Sequence, residues 1–137
     1  MSVAGLRVVR ADLDALALVH RTLLGEAVDE SSLLVFVADE DMRYAAVNAR
    51  VCEVLGYSRK EMQQLSVSDV ATELSAPADY AEMVTKGQRS GTAGLLTKAG
   101  ERLHYTYHAS ETAVSGVRFY VAVGIVREAT AVGTELS

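Results

Sequence analysis

The sequence predicts an α+β domain, with an antiparallel sheet and helices gathered on one face. Three observations predict it. Two β-rich runs stand close together at residues 33–38 and 43–47. Short helical segments fill residues 49–89. The rest of the chain returns to extended runs separated by turn-forming residues, which is the pattern of a meander.

Each element follows from local residue choice. Residues 12–26, DLDALALVHRTLLGE, place Leu13, Leu16, His20, Leu23 and Leu24 on one stripe at helical spacing. Asp12 is the expected N-cap of this helix and Gly25 its expected stop. The first ten residues read equally as a linker or an extra edge strand. After the polar segment DESS, residues 33–38 form a strand, Asp39, Glu40 and Asp41 a solvated turn, and residues 43–47 a second strand. Asn48 caps a helix over 49–55, which Gly56 stops. Ser58 and Glu61 have the spacing of a capping box for the next helix. Residues 66–74 and 78–89 predict two more short helices, with Pro77 opening the second. Beyond Gly91, two strands flank a turn at Lys98, Ala99 and Gly100. Ser115 and Gly116 then lead into a last strand over 117–126.

Composition narrows the function classes. A chain of 137 residues fits one domain with a core of useful size. Its net charge of −5 argues against a nucleic-acid or anionic-membrane surface, since both reward clustered Lys and Arg. No apolar run approaches the ~20 residues of a membrane span, and the N-terminus does not read as a signal peptide. The single cysteine, Cys52, excludes an intrachain disulfide and suits a reducing cytoplasm. No phosphate loop, nucleophile elbow, zinc spacing or kinase signature is present, so the chain reads as non-enzymatic.

Three stretches together resemble a PAS domain, a sensory module: VFVADEDMRYAAVNARVCEVLGYSRKEM, LLTKAGERLHYTYHASE and VAVGIVREAT. The asparagine closing the second strand, the GYS-x-x-E junction, the K-x-G hairpin and the G-I-V-R ending stand in the family's order and spacing. One departure is that Glu128, Ala129 and Thr130 replace the family's frequent Asp-Ile-Thr ending. The resemblance implies a five-stranded antiparallel sheet with short helices over one face, and we expect the N-terminal amphipathic helix on the other. Domain organisation is expected as an N-terminal segment and dimerisation helix over 1–28, a PAS domain over 29–130 and a tail over 131–137.

Strand alternation then sorts side chains by face. The family's register turns Phe36, Leu95, Tyr105, Tyr107, Tyr120 and Val126 toward the helices, where they are expected to line a ligand cavity. The bland alternative is that the tyrosines fill the core and bond one another. Phe119, Val121, Val123 and Ile125 fall on the outer face. Their exposure would forgo roughly 1.5–3 kcal/mol for each large side chain. A cover is therefore expected from Leu13, Leu16, His20 and Leu23 of the N-terminal helix, in the same chain or in a partner, and with it a homodimer. The ligand is not named by the sequence. Haem or flavin is compatible but not indicated: the expected helix over 78–89 has no histidine, and Cys52 lacks the flavin photosensor context. His104 and His108 lie ~13 Å apart along one strand, too far to share a metal. The function expected is a module that senses a small ligand or binds an effector protein and signals through its N-terminal helix and dimer interface. The alternatives are a ligand-free dimerisation domain, a haem sensor and a small enzyme.

Overall fold

The computed structural model describes residues 3–72 and 76–128. The chain opens with helix α1 (Val3–Asp29), followed by strands β1 (Leu34–Ala38) and β2 (Tyr44–Val47). Four helices come next: α2 (Ala49–Leu55), α3 (Arg59–Met62), α4 (Val67–Val70) and α5 (Ala76–Lys86). Strands β3 (Gln88–Leu96), β4 (Arg102–Val114) and β5 (Val117–Glu128) close it. The five strands form one sheet in the order β2-β1-β5-β4-β3, with every neighbouring pair antiparallel.

The register sorts the two faces as strand alternation predicts. Leu34, Phe36 and Ala38 pair with Gly124, Ala122 and Tyr120. Tyr105, Tyr107 and Ala109 pair with Val126, Gly124 and Ala122. Paired residues share a face, so these side chains all look toward the short helices, where the core lies. Val35 pairs with Val123, Val37 with Val121 and Thr112 with Phe119 on the outer face.

Local chemistry builds the roof. Asn48 caps α2, accepting from the Val51 N–H, and Gly56 ends it in the left-handed region at φ 84°. Ser58 and Glu61 form the expected capping box on α3. The segment around α4 then straps the sheet from edge to edge. The Val67 N–H donates to the Met42 carbonyl beside β2, and the Thr72 N–H to the Gly94 carbonyl on β3. Val70 is fully buried beneath this strap.

Three elements differ in extent from the sequence expectation. The first helix starts at Val3, so residues 3–11 are neither linker nor edge strand. It also passes through Gly25 to Asp29, since one glycine costs a helix only about 1 kcal/mol. The helix over 66–74 shrinks to α4, since Ala71 turns extended to bridge Leu95 on β3. The helix over 78–89 spans 76–86 instead. Pro77 sits in its first turn, as expected, but Gly87 at φ 79° ends it and β3 starts at once.

The outer face is also more open than expected within one chain. α1 meets it only with its last turns, where Thr22, Gly25 and Val28 flank a groove against Val35, Val37 and Ala46. Phe119, Val121 and Val123 are half-buried, and Ile125 is 61 % exposed. Leu16 and Leu23 are 54 % and 58 % exposed, and His20 is exposed. The side chain of Leu13 lies outside the described residues. Residues 14–28 of α1 are all exposed, so the helix does not seal the face. Among the described residues no helix is long and apolar enough to cross a membrane.

Candidate functional site

Between the sheet and the roof lies a cavity of about 110 Å³. The chain has two phenylalanines, six tyrosines and no tryptophan. Six of these eight rings line the cavity: Phe36, Tyr44, Tyr80, Tyr105, Tyr107 and Tyr120. Sheet alternation supplies Phe36, Tyr105, Tyr107 and Tyr120 from adjacent strands. Tyr44 enters through an irregularity in the β1–β2 pairing between Val37 and Ala38, and Tyr80 comes from α5. The rings pack on one another. Tyr105 stacks on Tyr107 at 5.4 Å with 14° between planes, while Phe36 meets Tyr105 and Tyr80 meets Tyr120 edge-on.

Five of the six expected ligand-lining residues stand in this wall: Phe36, Leu95, Tyr105, Tyr107 and Tyr120. Val126 faces the same side and packs on the core but does not line the cavity. It pairs with Tyr105, two residues beyond Gly124 and away from the end of β5 that carries Tyr120. Sequence reasoning missed Tyr44, Tyr80, Met83 and Arg89. Tyr80 and Met83 carried a usable signal, an i, i+3 pair on the inner side of a short helix. Arg89 was hidden because it lay inside the expected helix rather than on β3.

Most of the polar ends are spoken for. The Tyr105 hydroxyl donates to the Leu34 carbonyl at 3.0 Å, and the Tyr80 hydroxyl to the Asp39 carbonyl at 2.7 Å. Burial pushes both phenols, and that of Tyr44, well above the ordinary range, so all three stay neutral. The Tyr120 hydroxyl is shielded from solvent and completes no hydrogen bond. Arg118 lies in electrostatic reach of it, and that phenol with Glu111 and Glu40 strengthens the guanidinium's hold on its proton. At the mouth, Arg89 Nε donates to the Tyr107 hydroxyl at 3.1 Å. Its other nitrogens face Glu82 at 3.2 Å and Asp79 at 3.5 Å. The arginine thus ties α5 to the sheet, and its charge is matched by two carboxylates.

The other end of the roof is closed by Lys98. Its N–H donates to the Leu55 carbonyl, and its ammonium reaches Glu61 at 2.7 Å and lies 5.9 Å from the Tyr57 ring centre. The Lys98 contact, followed by the Ser58 N–H, holds the Glu61 carboxyl below its ordinary range. A depressed carboxyl stabilises the fold above its unfolded-state pKa and loses that contribution as pH falls through the folded value. Glu61→Gln is therefore expected to flatten the fall of stability on acidification. Urea midpoints of both proteins, measured across the acid range, check this. Because Glu61 is solvent-exposed, the effect should be small.

Haem and flavin do not fit this cavity. Its volume is below the ~150 Å³ of an apolar cavity that accepts benzene. No histidine and no cysteine lines it. His104 and His108 share register with the outer-face residues Arg127 and Val123. Cys52 is half-buried outside the cavity, and burial pushes its thiol up, against the opposing influence of Arg59. Among the described residues no group of three or more His, Cys, Asp or Glu is placed to hold a metal.

A second feature joins the site to α1. The Asn48 side-chain oxygen accepts from the Val35 and Val51 N–H groups, while its amide donates to the Val28 and Leu33 carbonyls. Beside it, one Asp29 oxygen accepts from the Ala49 N–H and pairs with the Arg59 guanidinium. The end of α1, the edge of the sheet and the starts of α2 and α3 therefore meet at two side chains.

The arrangement matches known proteins. Residues 28–93 match the family model described as PAS fold. No curated protein matches the sequence significantly. Among solved structures, the PAS domain of an HTR-like protein from Haloarcula marismortui superposes with a TM-score of 0.72 at 17 % identity, covering 85 % of this chain and 99 % of that one. A PAS domain from a two-component sensor histidine kinase gives 0.70 at 16 % identity, covering 82 % and 98 %. The PAS domain of nitrogen regulation protein NR(II) from Vibrio parahaemolyticus gives 0.63 at 12 % identity, covering 77 % and 97 %. With the family match over the roof and first strands, and the same fold carried through the last strand, the chain has the PAS fold.

Proposed function

We propose that the chain is a non-catalytic sensory module that takes a small ligand between its sheet and its short helices and reports occupancy through α1 in a homodimer. The observation that carries this reading is the concentration of six of the eight aromatic rings around one cavity whose roof is made of short helices. Such helices make few contacts and repack at low cost. Two structural relatives are described as domains of sensor histidine kinases, which supports a signalling role. A ligand that prefers one packing of the roof shifts the population toward it, and the shift is limited by that preference. The Asn48 junction passes the change to α1.

The dimer reading rests on apolar surface. Leu16, Leu23 and Leu24 on α1 and Ile125 on the outer sheet face are all more than half exposed in one subunit. A second copy of α1 laid on that face covers both sets. Sedimentation at micromolar concentration is expected to show a dimer. Leu16→Glu with Leu23→Glu should weaken it at least tenfold without unfolding the domain, because both side chains are exposed in the subunit. A wild-type monomer would overturn the dimer. A metabolite panel that never shifts the thermal midpoint would overturn the ligand reading.

We also place the protein in the cytoplasm, on the lone cysteine and the absence of a long apolar helix among the described residues. Recovery in a membrane or secreted fraction would count against that placement.

A further inference from the structure

We propose that the cavity selects a small uncharged ring, about the size of one six-membered aromatic, carrying a single hydrogen-bond acceptor that docks on the Tyr107 hydroxyl. This rests on the ligand-sensing reading above and specifies its chemistry. Size sets the first limit. About 110 Å³ is somewhat below the ~150 Å³ of a cavity that takes benzene, so a single ring enters with a slight lift of the roof, while fused or chain-like ligands are excluded. Wall chemistry sets the second. The stacked pair of Tyr105 and Tyr107 and the edge of Phe36 present flat π surfaces, against which a planar ring gains contact on its face and its rim.

Charge sets the third limit. Arg89 is the cationic side chain of the wall, and its guanidinium already faces Asp79 and Glu82. A carboxylate or ammonium brought inside would lose hydration with no countercharge to meet it, which is costly in such surroundings. The fourth limit is the polar handle at the mouth, since the unpaired Tyr120 hydroxyl is shielded from solvent. Tyr105 and Tyr80 spend their protons on the Leu34 and Asp39 carbonyls. Tyr107 differs: its oxygen accepts from Arg89, and its own proton goes to no described residue. A phenol that accepts from a guanidinium is polarised and becomes a better donor. It stands at the mouth beside α5, so an acceptor on the ring bonds there while the ring lies inward.

Calorimetric titration and thermal shift of the full chain with phenol, benzene and benzoate test this. Phenol is expected to bind, benzene about three- to tenfold more weakly, as one hydrogen bond is worth, and benzoate more weakly than both. Tyr107→Phe, which keeps the stacked ring, should abolish the preference for phenol over benzene. Ala93→Leu, which fills the wall, should abolish binding of both. The wild-type order of the three probes tests the inference even if a variant fails to fold. Tighter binding of benzoate, or a phenol preference that survives Tyr107→Phe, overturns the ligand class. Failure of all three probes while another metabolite shifts the midpoint also overturns it, but leaves the sensory reading standing. Failure of every compound overturns both.

Discussion

Replacing Asn48 with alanine is expected to destabilise the domain by about 3–5 kcal/mol. The side chain is 4 % exposed and makes four hydrogen bonds at once. Two of them satisfy backbone N–H groups of buried residues, Val35 and Val51, which have no water to turn to once the asparagine is gone. Each buried polar group left unpaired costs about 1–3 kcal/mol, and loss of the helix cap is part of the same sum. Asn48→Asp is the informative control. It keeps an acceptor for the two N–H groups but sets a carboxylate against the Val28 and Leu33 carbonyls. It should therefore hold the cap of α2 yet release the end of α1. Denaturant unfolding gives the stability of each variant, and hydrogen exchange over residues 22–29 separates them. Alanine should raise exchange in both α1 and α2, aspartate in α1 alone. Unchanged stability of the alanine variant would mean that the junction is not a structural hub.

Gly124→Ala is expected to be as damaging, at about 3 kcal/mol or more, although it adds one carbon. Gly124 lies in the middle of β5, between β1 and β4, paired with Leu34 and Tyr107. A Cβ built there would stand 2.0 Å from the Thr106 carbonyl oxygen and 2.8 Å from the Tyr107 Cα. Both obstacles are backbone, so no rotamer change relieves them. The strand pair would have to separate at the centre of the sheet, where overpacking already costs 1–3 kcal/mol or more as a rule. The cavity should suffer too, because Tyr107 is carried on the displaced strand. A thermal midpoint within a few degrees of wild type would refute this. Gly116→Ala makes a useful contrast, since that turn residue has open space around it and any strain comes from its φ of 79° alone.

The parts of the fold that were readable in advance are those governed by near neighbours along the chain. The cap at Asn48, the stop at Gly56 and the box of Ser58 and Glu61 each depend on residues three or four apart, and all formed. The faces of β4 and β5 followed from a period of two once the turns were placed. α1 was read too short because Gly25 looked like a terminator. A single glycine costs a helix little when no competing structure claims its neighbours. The α5–β3 boundary was missed because Gln88 and Arg89 join the sheet through pairing with Ser110 and Ala109, partners 22 and 20 positions away. The cavity was half-legible for the same reason. Tyr105, Tyr107 and Tyr120 share strands whose alternation is visible in sequence, whereas Tyr44, Tyr80 and Arg89 reach the same wall from three other elements. Their meeting is decided by how the roof is tied down.

The manner in which α1 is held has one more consequence. Its 27 residues extend about 40 Å, yet firm contact with the sheet is confined to its final turns. Such a rod, hinged at one end, behaves as a long lever with a short inner arm. A tilt of about 10° at the Asn48 end sweeps the opposite tip through roughly 7 Å. On the proposed sensory reading, sub-ångström settling of the roof onto a guest would be geared into a displacement of several ångströms at the far end of α1.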